Sequence, residues 1–306
     1  MRKIFGIGET ICDIIFKDNQ PFRAVPGGST FNCLISLGRL NLPVSFISEI
    51  GKDKIGSFIK SFMEENNLST EYIDFFEDGN SPVALAFLDN EKKVEYTFYR
   101  NFPESRLNID FPTTQKEDLL VLSSYYAVNP VLRERFFGFL QQAAERGTII
   151  YYDINFRKAH AHERIKLMSL FLENFELSDI IRCSDEDLET LYPGKSIDSI
   201  YRDHISFYCR NVIVTQGPQN VLLKTGRFDK QYEIKPLHPV SAIGAGDSFN
   251  AGLIYGIMKY NYTKEQLTRL EEKEWDGLIA LAIQFASEVC MSLDNYISPA
   301  FASSLL

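Results

Sequence analysis

Apolar residues in this 306-residue chain fall into short runs that switch between strand-like and helix-like spacing. Lys3–Ile7 reads as an apolar strand, and Ile11–Phe16 as a second extended stretch past the turn at Gly8-Glu9. Phe31, Leu34, Ile35 and Leu40 then fall at helical spacing. They predict a helix beginning near Ser29, with Ser29 or Thr30 available to cap its free backbone N–H groups. Strand Val44–Ile50 follows, and Ile55, Phe58, Ile59, Phe62 and Met63 form one stripe of an amphipathic helix. Alternation of this kind predicts a parallel sheet. From about Ser81 to Arg100 the rhythm breaks into β-rich text, VALAFLDNEKKVEYTFYR, whose centre at Asp89–Lys93 predicts a hairpin turn. From Leu119 it resumes: strand LLVLSS, helix 130–146, strand TIIYYD, helix 161–176, strand DIIRC, short helices to about 209, and strand NVIVT. The predicted architecture is one doubly wound α/β domain over residues 1–306, a mostly parallel sheet flanked by helices. A small β-rich lid, built from about 10–27 and 81–105, is expected to cover a site.

Composition narrows the function classes. Hydrophobic residues at 45% and charged residues at 24% are the balance of an ordinary globular protein. A formal charge of −9 disfavours a nucleic-acid surface, so an anionic ligand has to be held by local groups. The five cysteines, at 12, 33, 183, 209 and 290, form no C-x-x-C pair and predict reduced, mostly buried thiols. Glu9 and Asp13 interrupt the apolar start, which speaks against a signal peptide, and no run approaches membrane-spanning length, so a cytoplasmic protein is expected. The histidines at 160, 162, 204 and 238 lack metal-ligand spacing.

The strongest local signal is VSAIGAGDSFNAG, residues 240–252. A turn of small residues runs into a helix striped by Phe249, Leu253, Ile254 and Ile257, so unpaired N–H groups converge at a helix start and form an anion cradle. Asp247 adds a carboxylate at the same spot. Beside a phosphate that suggests phosphoryl transfer, although an Asp in a first helical turn is equally an ordinary cap. Pro26-Gly27-Gly28-Ser29 is a second tight turn at a helix start, and Asp153–Arg157 follows a strand at its carboxyl end, where open α/β sheets bind ligands. Two weaker motifs are set aside. Gly6-Ile7-Gly8 lacks the third glycine of a dinucleotide fingerprint, because Ile11 stands there. Gly194-Lys195-Ser196 lacks the first glycine of a P-loop, because Glu189 stands there, and it reads as a loop.

Taken together and in order, these segments resemble the ribokinase-like carbohydrate kinases, the PfkB family, and within it the fructokinases. PGGSTFNCLISLGRL is similar to the family's N-terminal Gly-Gly motif, and SAIGAGDSFNAGLIYG to its C-terminal D-T-x-G-A-G-D signature. The resemblance implies Asp247 as catalytic base, with Gly244, Ala245 and Gly246 joining it in an anion hole. It implies sugar contacts from Asp13, Gly27, Gly28 and Asn32. FYRN, ending at Arg100 and Asn101, is similar to the fructokinase lid segment, and DINFR to the family's D-P-N-x-R, which adds Arg100, Asn155 and Arg157 as ligand contacts. VTQG is similar to the nucleotide-binding V-T-x-G and implies Thr215 and Gly217.

Three departures from the family pattern bear on the expectations. Ser184-Asp185-Glu186-Asp187 stands where the family commonly has N-x-x-E, leaving Ser184 toward the nucleotide and Asp187 toward magnesium through water. Ser241 replaces the aspartate that opens the C-terminal signature and helps hold a monovalent cation, so a weak or absent potassium site is expected. NFPESRL departs from the usual continuation after the lid arginine. The implied activity is an ATP- and Mg2+-dependent sugar kinase acting on fructose, with a homodimer through the lid and neither nucleic acid nor membrane as partner. The alternatives are a kinase of ribose, a nucleoside or a keto-deoxy sugar acid, or a catalytically silent sugar- or nucleotide-binding regulator.

Overall fold

The computed structural model describes residues 2–18, 20–88 and 94–306. The first half runs β1 (Ile4–Ile7), β2 (Ile11–Lys17), β3 (Gln20–Gly27), α1 (Ser29–Arg39), β4 (Val44–Gly51), α2 (Lys54–Glu65), β5 (Leu68–Phe76), β6 (Asn80–Leu88) and β7 (Val94–Asn101). Then β8 (Leu119–Ser123), α3 (Pro130–Glu145), β9 (Ile149–Asp153), α4 (Arg164–Leu177), β10 (Ile180–Ser184), α5 (Asp185–Leu191), α6 (Ile197–Ile200) and β11 (Val212–Gln216) alternate. The hairpin β12 (Asn220–Lys224) and β13 (Asp229–Glu233) precedes four closing helices: α7 (Ala245–Lys259), α8 (Lys264–Leu267), α9 (Glu272–Cys290) and α10 (Pro299–Leu305).

The main sheet has nine strands in the order β13-β12-β11-β10-β9-β8-β1-β4-β5. From β11 to β5 every neighbouring pair is parallel, and only the β11-β12-β13 ribbon is antiparallel. The parallel strands are apolar on both faces because helices cover both. Ile4, Val121, Tyr151 and Ile180 join one core with α1, α7 and α9, while Phe5, Leu122, Tyr152 and Ile181 join a second core with α3 and α4. Winding starts at β1 and runs outward to β4 and β5, then returns to β8 on the other side and runs out to β11. The chain therefore reverses direction between β1 and β8, and the carboxyl ends of those strands frame a crevice.

The lid is a separate four-stranded sheet, β3-β2-β6-β7. It spans the two expected segments, and the expected turn at Asp89–Lys93 lies outside the described residues. Asp53 ties the lid to the body: its carboxylate accepts from Gly56 N, capping α2, and from Ser81 N and Oγ on β6.

Two stretches differ from the pattern reading. Strand β5 and the β12-β13 ribbon were not anticipated, because all three lie at or near sheet edges and carry little alternating apolar text; β13 is DKQYE and half exposed. Helix α1 begins at Ser29 as expected, but neither expected residue caps it. Its N-cap is Gly28 without a side-chain bond, the Thr30 hydroxyl donates to Ile7 O at 3.0 Å, and the Ser29 hydroxyl turns into the crevice.

Candidate active site

Two helix starts meet over the reversal point. Ser29, opening α1, lies against Ser123 at the end of β8, their hydroxyls 2.8 Å apart. Helix α7 packs on α1 and brings Asp247 to the same place. The Asp247 carboxylate accepts from Ser29 Oγ at 2.7 Å and from Asn32 Nδ2 at 2.8 Å, one bond to each oxygen. Asp247 thus does not cap its own helix: the N-cap is Gly244, and no side chain bonds there. Burial pushes its pKa up, the bonds from Asn32 and Ser29 pull it back, and Arg157 and Arg182 pull further in the same direction. The result is a half-buried carboxylate held in one orientation on a first turn where Ala245 N donates to Ala242 O at 3.3 Å, while Gly246 N and Asp247 N have no partner among the described residues.

The turn before it has a stated steric reason. Gly244 has φ of 77°, and a Cβ there would lie 2.3 Å from the carbonyl oxygen of Asn295, so only glycine fits. Gly28 is similarly constrained, with φ of 133° and a Cβ position 2.2 Å from Glu9 O. Under Gly246 lies Arg182 from β10, its Nη2 3.0 Å from the Cβ position. The guanidinium donates to Asp153 Oδ1 at 3.1 Å and to Thr215 Oγ1 at 2.7 Å, and its buried Nε has no partner among the described residues. Asp153 is fully buried and also accepts from Asn250 Nδ2 at 2.8 Å. A nearly buried cation thus sits beside the Gly244–Gly246 turn, where low dielectric strengthens its field. Its only sequence signal was a lone charge inside the apolar strand IIRCS.

On the lid side, the point where a Cβ of Gly27 would stand is 3.2 Å from Asp13 Oδ2, 3.7 Å from Asn295 Nδ2 and 3.9 Å from Asn32 Oδ1. Asp13 is pushed up to about 6, mainly by burial, with Arg157 opposing and Glu9 reinforcing the shift. Arg157 is exposed in the loop after β9 and acts electrostatically on both Asp13 and Asp247. Asn155 sits half-buried in left-handed conformation, φ 38°. Arg100 on lid strand β7 reaches across to Glu9, 3.5 Å away, rather than to Asp13. The NFPESRL continuation has a structural role that its text did not reveal. Arg106 forks onto buried Glu49 at the end of β4, Nε 2.9 Å from both carboxylate oxygens, and Leu107 N donates to the same group at 3.0 Å.

The nucleotide-side candidates stand at the ends of β10 and β11. Thr215 is engaged by Arg182, and Gly217 has φ of 53° with open space where a Cβ would point. Ser184 caps α5: its Oγ accepts from Asp187 N, and Asp187 Oδ2 accepts from Ser184 N and Oγ. The Ser184-to-Asp187 departure is therefore a capping box, which leaves Asp187 Oδ1 without a hydrogen bond among the described residues. Among the described residues no group of three or more His, Cys, Asp or Glu side chains could hold a metal, and no helix is long and apolar enough to cross a membrane. The five cysteines are free, four of them buried. Ser241 Oγ accepts from Ile243 N at 3.1 Å, a local turn bond.

An αL glycine at a helix start and a carboxylate fixed beside the Gly246 and Asp247 amides thus stand together at the reversal point, next to the lid sheet. Residues 1–297 match the pfkB family carbohydrate kinases. The chain is 25% identical to probable fructokinase-6, chloroplastic, of Arabidopsis thaliana over 260 residues, 81% of this chain and 68% of that protein. A fructokinase double mutant from Vibrio cholerae O395, solved with fructose, ADP and potassium ion, superposes with a TM-score of 0.84 at 21% identity, covering 100% of this chain and 98% of that one. Aminoimidazole riboside kinase from Salmonella enterica, solved with aminoimidazole riboside and an ATP analog, superposes at 0.81 and 19% identity, covering 99% of both. The chain belongs to the pfkB family of carbohydrate kinases, and its fold is the ribokinase-like α/β fold with a lid sheet.

Proposed function

We propose that this protein transfers the γ-phosphoryl group of Mg-ATP to a sugar hydroxyl, with fructose as acceptor, in the cytoplasm. The observation that carries the reading is the placing of Asp247, bonded by Ser29 and Asn32 next to the Gly244–Gly246 turn. Asp247 orients the acceptor hydroxyl and takes its proton as the sugar oxygen bonds to the γ-phosphorus. The bond from that phosphorus to the β–γ bridging oxygen breaks, and ADP leaves. The amides of Gly246 and Asp247 at the start of α7, with Arg182 behind Gly246, stabilise charge on the phosphoryl oxygens. Asp13, Gly27, Gly28 and Asn32 hold the sugar, with Arg100, Asn155 and Arg157 at its rim, and the lid excludes water as a competing acceptor.

Thr215 and Gly217 suit the nucleotide, since nothing lies within 4 Å of the point where a side chain on Gly217 would begin. Magnesium keeps most of its waters and takes one or two carboxylates together with phosphate oxygens, a requirement that the unbonded Oδ1 of Asp187 fits. Bound there, the ion would supply charge neutralisation to the phosphates. Fructose is favoured by the fructokinase relatives. We further propose a homodimer through the lid, supported by Phe22 and Tyr99, 54% and 59% exposed on its edge strands. Light scattering that returned a monomer at micromolar concentration would reject the dimer. The functional reading is tested by ADP release with Mg-ATP and a panel of fructose, ribose, nucleosides and keto-deoxy sugar acids. Fructose is expected to give the highest kcat/KM; a tenfold preference for ribose or adenosine removes fructose, and silence across the panel leaves the regulator.

A further inference from the structure

The loop between α9 and α10 belongs to no sequence motif, yet it reaches the centre of the site. It is pinned on three sides. Arg23 of lid strand β3 pairs with Asp294 at 2.7 Å, the Arg39 guanidinium lies 4.7 Å from the centre of the Tyr296 ring, and Arg39 Nη1 donates to Ile297 O at 2.6 Å. Asn295, held between these anchors, is only 8% exposed, and its side-chain amide makes no hydrogen bond among the described residues. Its polar atoms are not fully enclosed, so a ligand can reach them. Its Nδ2 faces the Gly27 turn, where Asp13 Oδ2 and Asn32 Oδ1 also converge, and Asn32 Oδ1 is itself buried and unpaired. Two idle acceptors and one idle donor around one glycine match a hydroxyl-bearing ligand, because a hydroxyl donates once and accepts as well. On its other side, the Asn295 carbonyl packs on Gly244 of the anion cradle.

We propose that Asn295 is a specificity-determining residue of the sugar subsite: its Nδ2 donates to a sugar hydroxyl that donates in turn to Asp13, while its carbonyl, set against Gly244, couples sugar occupancy to the shape of the anion hole. The inference rests on the sugar-kinase reading. It assigns to one asparagine both recognition of the acceptor and support of the turn that receives the phosphoryl group.

Binding is measured by isothermal titration calorimetry with fructose and its monodeoxy analogues, without nucleotide, for the parent, Asn295→Ala and Asn295→Asp. A lost neutral hydrogen bond predicts about tenfold weaker fructose binding in Asn295→Ala. One deoxy analogue should bind the parent about tenfold less well than fructose and bind Asn295→Ala no worse than fructose does. Asn295→Asp, which puts an acceptor and a charge beside Asp13, should lose more. In kinetics KM for sugar rises while KM for ATP stays within twofold, a split that a purely structural role would not produce. Parent protein that binds none of these sugars ends the fructose reading and this proposal together. Parent binding with Asn295→Ala and every deoxy penalty unchanged overturns the proposal and leaves the reading standing. Should Asn295→Ala fail to fold, Asn295→Asp and Asn295→Ser carry the same comparison.

Discussion

Ser29→Ala isolates what holds the proposed base. In the folded chain Asp247 has two side-chain donors, and this substitution removes the one at 2.7 Å while leaving Asn32 on the other oxygen. A hydrogen bond to a charged group contributes roughly 1.5–3 kcal/mol. Ser123 loses its 2.8 Å neighbour but keeps Asp153 at 3.4 Å, and a water entering the vacated space restores part of the lost bond, so the lower end of that range applies. The bond stabilises the ionised carboxylate, so its loss raises the pKa of Asp247. Since about 1.4 kcal/mol corresponds to one pH unit, the acid limb of the kcat profile should move to higher pH by roughly one unit. Above that limb the rate should stay within about tenfold of the parent, because the carboxylate is still present and oriented by Asn32. The assay is ADP release at saturating fructose and Mg-ATP across pH 5–9, with fructose phosphate quantified directly to exclude effects on coupling enzymes. A limb that stays in place, or moves to lower pH, in a variant that melts with the parent would refute the assignment of Asp247 as the ionised base.

The remaining expectations follow from the same geometry. Asp247→Asn should bind ATP as the parent does and lose about 10²–10⁴-fold in turnover, and a loss of only a few-fold would show a positioning role alone. Asp13, raised to about 6, accepts more strongly from sugar hydroxyls when ionised, so kcat/KM for the sugar should fall as pH drops through about 6; a flat profile there separates Asp13 from sugar binding. Gly244→Ala forces a side chain into left-handed backbone, at about 1–2 kcal/mol, and onto the Asn295 carbonyl, so both Tm and activity should drop; calorimetry and rate assays check this. Potassium in place of a bulky organic cation should raise activity by less than about tenfold, or 1.4 kcal/mol, since Ser241 offers a neutral hydroxyl already bonded to Ile243 N.

Much of this site was legible before any fold was known. The small-residue turn into an apolar helix at Gly244–Asp247, the paired glycines before Ser29 and the alternating strands and helices are local patterns with local causes, such as backbone that must turn left-handed and faces that must be buried. What the sequence determined by itself was therefore the parallel sheet, the lid segments and the glycine turn at the start of α7. Tertiary structure decided which groups meet across long separations. Ser29 was read as a cap and instead holds Asp247, 218 positions away. Arg182 and Asp153 come from neighbouring strands and pair beneath Gly246, and Glu49 anchors Arg106. Asn295 stands between Gly27 and Gly244 because α9 and its pinned loop return it there. None of these contacts leaves a periodicity in the text, since a polar side chain finds its partner through packing of whole elements rather than through spacing along the chain.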